Sequence, residues 1–199
     1  MTAPIVQRLR AAAAALPGER VSIQTLAQAH GPAAHGTLLL LMAVLCLVPG
    51  VGTVLGLGLA ALATAMWRGH ASATLPRRVA ELELSRHSAQ RVLGTLASAY
   101  SMAGRFAKAR LGHLASADRQ SWTAAAIGLM GAIVVLPIPF GNLLPALAVM
   151  LIGLGLVFRD GVAVVLGLAS AGLALFVTAG LMMMAWAWAT QWSAHWIST

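Results

Sequence analysis

The residues best placed to bind something lie in two short stretches, Pro49-Gly50-Val51-Gly52-Thr53 and Pro137-Ile138-Pro139-Phe140-Gly141-Asn142, the second followed by Pro145. Each interrupts a long apolar run. Proline removes a backbone donor and breaks the helical ladder, so each stretch frees N–H and C=O groups where hydrocarbon offers no partner. Such a break is tolerated when protein, water or a bound solute satisfies those groups. Helices that restart at Thr53 and Asn142, both acceptable caps, would aim free N–H groups and positive dipole ends into the gap, favouring an anion or a polar headgroup. The candidate substrate-binding residues are therefore Pro49, Gly50, Gly52, Thr53, Pro137, Pro139, Gly141, Asn142 and Pro145. Thr53 and Asn142 supply the side chains, while Gly52 and Gly141 expose backbone. The competing reading is packing alone, with glycines allowing close helix contact and Asn142 merely capping. All are uncharged, so they offer binding rather than proton transfer.

Arg159 and Asp160 complete the set, because they are the only Lys, Arg, Asp or Glu residues after Arg119. Charges beside hydrocarbon are costly unless paired or interfacial, which makes them either a coupling site or an interfacial clamp. Arg68 holds a similar position after the first apolar run, without an adjacent acid.

No hydrolase elbow, phosphate-binding loop or metal-ligand spacing occurs, so an enzyme is not expected, nor a cofactor or metal. Met182 to Met184 read as packing residues, since adjacent thioethers on a helix point in different directions. The single cysteine, Cys46, reads as a small buried hydrophobe. His70, His87 and His113 fall in or beside a basic connector, and His195 sits among tryptophans.

The elements that must position these residues are hydrophobic helices. With 199 residues, 59% hydrophobic, 9% charged and a mean hydropathy of +0.83, the chain has too little charge to cover a soluble domain of this size. The expected class is an all-α integral membrane protein in one membrane domain, residues 1–199. Its net charge of +8 comes from residues beside apolar segments rather than from a patch with interleaved aromatics, which points to anionic lipid headgroups and away from nucleic acid.

Residues 1–35 predict surface helices over Ile5 to Leu16 and from a Ser22 cap to about Ala29, and no cleaved leader. Residues 36–68 form the first broken hairpin, with arms Thr37 to Val48 and Thr53 to Trp67 of about 18 and 22 Å. Neither spans a hydrocarbon core of about 30 Å alone, so the segment either dips in and returns or, as the second choice, forms one kinked, over-long span. Residues 122–160 repeat the plan at a spacing of 89, which reads as an internal repeat. Residues 161–199 predict transmembrane helices, with Val162 to Ala179 crossing, Gly180 bending, and Leu181 to Ile197 crossing back. Trp186, Trp188, Trp192 and Trp196 form an interfacial belt.

Residues 69–121 form a basic helical connector; nine of the thirteen Lys and Arg residues fall between Arg68 and Arg119, which places it on the cytoplasmic side. Its nearly uncharged part, Val92 to Ala103, leaves open a crossing helix packed through Gly94, Ala97, Ser98 and Ala99. An odd number of crossings there inverts the two hairpins relative to each other; none leaves them entering from one face. Short hairpins would expose irregular backbone to lipid, so a covering homodimer is expected.

The run from Leu136 to Gly167, LPIPFGNLLPALAVMLIGLGLVFRDGVAVVLG, resembles the bacterial exopolysaccharide synthesis protein family ExoD, as do His35 to Gly56 and the basic turn Leu75-Pro76-Arg77-Arg78. The resemblance covers about residues 20 to 180. It implies an inner-membrane protein linked to exopolysaccharide production and envelope physiology, with no reaction assigned. Members carry a glutamine late in the first hairpin and Pro-Trp before the basic turn, where this chain has Ala60-Ala61-Leu62-Ala63 and Ala73-Thr74. A solute site using that glutamine would have altered specificity here. The broken repeats themselves imply a transporter-like architecture for an ion, small anion or polar solute, against a non-transporting assembly factor of a synthesis or export complex.

Overall fold

The computed structural model describes residues 3–16, 18–30, 35–48, 51–69, 75–106, 120–136 and 141–197. The fold is largely helical. The chain runs α1 (Ala3–Ala14), β1 (Arg20–Ser22), α2 (Ile23–His30), α3 (His35–Leu45), α4 (Gly52–Trp67), α5 (Arg77–Ala80), β2 (Glu83–Ser85), α6 (Arg86–Phe106), α7 (Gln120–Val135), α8 (Leu143–Phe158) and α9 (Gly161–Ile197).

The core is built on α3, whose residues from Leu38 to Leu45 are all buried, as is Cys46 just after it. An amphipathic helix buries one stripe; one that is apolar all round, as α3 is, must be enclosed on every side. α8 and α4 cover α3, and α6 and α2 pack against it as well. Among the four arms of the broken segments, the most extensive pairings join one segment to the other rather than the two arms within each. α4 lies along α7 and α3 along α8.

Both pairings are antiparallel and close. A Cβ added at Gly56 would lie 2.6 Å from the Gly131 carbonyl oxygen, and Gly128 lies beside Ala63 farther along. Gly36 and Gly153 face each other in the same way across α3 and α8, each 3.1 Å from the other's carbonyl oxygen when given a Cβ. Small residues let helix backbones approach to this distance.

The first segment folds back at its break, because Met42 Sδ lies against Gly58, 3.5 Å from a Cβ built there. On a continuous rod these residues would be separated by more than about 16 Å of helix and turn. The kinked-span alternative is thus excluded for this segment. Since α4 runs antiparallel to α7, and α3 to α8, the two breaks come to the same end of the four helices.

Three expectations change. The connector is not one long helix: a three-residue strand, β2, pairs antiparallel with β1, setting Arg20 opposite Ser85, Val21 opposite Leu84 and Ser22 opposite Glu83. Val21 and Leu84 are buried on the inner face of the ribbon, as the alternation of a strand requires. Ser22 and Ser85 then cap the following helices, each Oγ accepting at 3.3 Å from the N–H of Thr25 and Ser88.

α6 is amphipathic. It buries Ala89, Val92, Leu93, Leu96, Ala97 and Tyr100 against α1 and α3, while Gly94 and Ser98 face outward. A Cβ on Gly94 would meet nothing within 4 Å, so of the small residues Gly94, Ala97, Ser98 and Ala99 it is Ala97 that is buried in the packing and not Gly94 or Ser98. Its low charge between Val92 and Ala103 reflects a stripe buried against protein.

α9 is one uninterrupted helix of 37 residues with no bend at Gly180. Glycine alone does not break a helix; it costs about 1 kcal/mol relative to alanine and keeps its N–H in the ladder. The stretch Gly161–Gln191 is the one described helix long and apolar enough to cross a membrane. Little of it is buried, and Phe176, Met183, Trp186 and Trp188 are each more than 70% exposed.

Candidate functional site

The two breaks meet. Gly52, the first residue of α4, packs on Asn142, the residue before α8: a Cβ at Gly52 would sit 2.7 Å from Asn142 Nδ2 and 3.4 Å from the Val134 carbonyl oxygen at the end of α7. Only glycine leaves the Asn142 amide this space. Asn142 Oδ1 is buried and has no hydrogen-bond partner among the described residues. A buried acceptor left in this state costs about 1–3 kcal/mol, so the position calls for a donor or a cation.

Around this amide are the starts of α4 and α8 and the ends of α3 and α7. Neither start has a side-chain cap. Val51, not Thr53, stands at the cap position of α4, and Asn142 at that of α8. Asn142 has helical dihedrals, φ −78° and ψ −13°, whereas a capping side chain needs the extended backbone that turns it toward the second or third N–H. Its amide is therefore left for other partners. Thr53 is exposed and does not join Asn142. Pro145 is buried in the first turn of α8, where its missing N–H costs nothing, and Ala146 N–H bonds the Asn142 carbonyl at 3.0 Å. Gly141 is half-buried beside Asn142. Pro49, Gly50, Pro137 and Pro139 lie outside the described residues.

Arg159 and Asp160 stand apart from this junction, at the opposite end of α8, about 24 Å away by helix rise. Arg159 closes α8 in the left-handed conformation, φ 51°. Asp160 opens α9, its Oδ1 accepting from Val162 N–H at 3.0 Å, and its own N–H bonds the Gly155 carbonyl at 2.9 Å. Gly155 has no room for a Cβ, which would lie 2.5 Å from Val164 Cγ2. This is a tight helix-to-helix turn, and the buried carboxylate is engaged as a cap. Among the described ion pairs, Arg20–Glu83 and Arg77–Glu81, neither includes Arg159 or Asp160.

A cleft of about 190 Å³ adjoins the first break on the other side of α3, lined by Val44, Leu47, Val48, Ser88, Arg91, Val92 and Thr95. Sequence reading passed over it. Its signal is the spacing of Ser88, Arg91 and Thr95, three and four apart on one helical face.

Among the described residues no three His, Cys, Asp or Glu side chains are grouped to hold a metal ion. His87 is exposed on α6; His70 and His113 lie outside the described residues. No curated protein and no solved structure matches the chain significantly. Residues 5–180 match the family described as "Exopolysaccharide synthesis, ExoD", a description that names a process and no reaction. With most of its length matched, including both breaks and the turn at Arg159-Asp160, the chain belongs to the ExoD family of exopolysaccharide synthesis proteins.

Proposed function

We propose that this protein is a component of the bacterial inner membrane, crossing it through α9, that works as a transporter-like element of exopolysaccharide production, holding an ion, small anion or polar solute where its two breaks meet. The observation that carries this reading is the junction of Gly52 with Asn142, where the buried Oδ1 asks for a donor or a cation and the uncapped starts of α4 and α8 offer N–H groups to an anion.

Depth along α9 supports it. α9 runs antiparallel to α8, with Gly155 against Val164 and Gly167 against Ile152, so the start of α8 falls opposite roughly Phe176. From Gly161 to that level is about 22 Å, and from Gly161 to Trp186 about 38 Å. Exposed Trp67 and Trp122 mark the near end of the four helices, and Trp186 and Trp188 the far level. A separation of about 40 Å matches a bilayer with its headgroups, and on this reading the breaks would fall near the midplane, where broken helices of transporters bind their solutes.

An internal repeat is supported too. α4 and α8 are both 16 residues long, offset by 91 at each end, and residues 51–60 and 141–150 share one order of buried, half-buried and exposed positions. The antiparallel β1–β2 pair, followed by capped α2 and α6, extends the likeness upstream. The burial order corresponds to a register of 90, within one residue of both the sequence spacing of 89 and the helix offset of 91.

The polar face of α6 reaches the level of the first break, and at that depth it must face water or another copy. A homodimer enclosing an aqueous vestibule meets this need, with anionic lipids at the basic connector.

One observation favours the assembly-factor reading: both breaks lie at the same end, so the inverted geometry typical of many carriers is lacking. The two readings separate in cells lacking the chromosomal copy. Asn142→Ala should abolish restoration of exopolysaccharide output while the purified protein stays folded and monodisperse. Full activity of Asn142→Ala, with loss on changing exposed Leu57, Leu147 or Leu173, would favour the assembly factor and sink the solute site.

A further inference from the structure

The cleft between α6 and the end of α3 has a chemistry of its own. Arg91 lines it with the hydroxyls of Ser88 and Thr95, facing the apolar wall of Val44, Leu47 and Val48. Arg91 has no acidic partner among the described ion pairs. Ser88 Oγ already accepts from Ser85 Oγ at 3.0 Å, which leaves its own hydrogen to donate outward. Thr95 is exposed and stands one turn farther along the same face. The inner wall thus presents donors, a guanidinium fork and two hydroxyls, with no carboxylate among the lining residues. A guanidinium fork matches the paired oxygens of a phosphate. The cleft, of about 190 Å³, has room for a phosphate-sized group.

We propose that this cleft is an anion site for a phosphate group, held by Arg91, Ser88 and Thr95, with the apolar wall receiving the first carbons of an attached chain. The phosphate belongs either to an amphiphile entering from the membrane or to a free phosphate entering from water. The site uses neither Gly52 nor Asn142, so it stands or falls separately from the reading of the paired breaks.

The test is calorimetric titration of the full chain in an uncharged detergent with two probes, inorganic phosphate and dihexanoylphosphatidic acid. At least one should bind saturably, and Arg91→Gln should weaken that binding about tenfold or more, as loss of a charged hydrogen bond implies. Arg91→Lys should fall between the two, and Leu47→Glu, which sets a carboxylate in the cleft, should also weaken binding. Binding of the phosphatidic acid alone identifies an amphiphile, and comparable binding of both identifies a site for the phosphate group itself. Absence of binding by either probe, or an Arg91→Gln protein that binds as the wild type does, overturns the proposal.

Discussion

Two glycine-to-alanine changes in this protein should move stability in opposite directions. At Gly56 the added Cβ would lie 2.6 Å from the Gly131 carbonyl oxygen, 2.6 Å from Val135 Cγ2 and 3.1 Å from Val135 N. Two of these three atoms are backbone, so a side-chain rotation cannot relieve the clash and α4 must move away from α7 by several tenths of an ångström or more. A gap of 0.5–1 Å forfeits about a quarter to a half of the dispersion energy of each contact it opens, and α4–α7 is among the longest interfaces of the fold. Overpacking of this kind costs about 1–3 kcal/mol, which exceeds the gain of about 0.5–1 kcal/mol from replacing a helical glycine by alanine. At Gly94, on the exposed face of α6, only that gain remains, because a Cβ there meets nothing within 4 Å. In thermal unfolding of detergent-purified protein, Gly56→Ala should lower Tm and Gly94→Ala should raise it, each by about 2–4 °C per kcal/mol for a chain of this length. A Gly56→Ala protein as stable as the wild type would refute the close α4–α7 contact, and with it the convergence of the breaks.

Other expectations follow from the caps, from α9 and from Arg159. Asp160→Ala should cost about 0.5–2 kcal/mol in thermal unfolding and Asp160→Asn much less, since asparagine also caps; equal losses would show that charge rather than capping matters. Ser85→Ala should lower stability by about 1 kcal/mol through loss of the α6 cap, read in the same assay. In a Cys46→Ser background, cysteines at Arg159 and Thr190 should label from opposite sides of the membrane, because α9 does not turn back; labelling from one side would restore the bend at Gly180. Arg159→Gly should leave Tm unchanged or raise it, as glycine adopts φ 51° without strain.

The parts of the fold written in local chemistry were readable from sequence, and those set by partners distant in the chain were not. Proline and glycine located both breaks, Ser22 marked the start of α2, and Trp67 and Phe158 do end α4 and α8. The β1–β2 ribbon escaped notice because three-residue strands separated by sixty residues carry no pattern of their own. Thr53 was favoured as a cap by its hydroxyl, yet α4 begins earlier, at Gly52, because close packing on Asn142 outweighs capping preference. The contact of Gly52 with Asn142 lies between hairpins, and single-sequence periodicity does not say which hairpin faces which arm. For Arg159 and Asp160 rarity of charge left a coupling site and an interfacial clamp both open, and what sequence did not show is the local turn, in which one adopts the left-handed backbone and the other caps.

The junction also gives a physical reason for the two halves to differ. In the proposed repeat, the burial order shared by residues 51–60 and 141–150, at a spacing of 90, sets Gly52 against Asn142. Where two similar hairpins bring equivalent positions to one point, a side chain from one half fills the space that its counterpart would need. Asn142 occupies that space here, and Gly52 gives it up, since even a Cβ would come within 2.7 Å of the amide. Two asparagines could not both be housed, and two glycines would leave backbone with no polar side chain between the helix starts. One amide supplied by the second half and one vacancy supplied by the first therefore make a single polar position from a nearly symmetric scaffold. On this reasoning Gly52→Ala should impair function as severely as Asn142→Ala, although it removes no polar atom, because it displaces the amide on which the site depends.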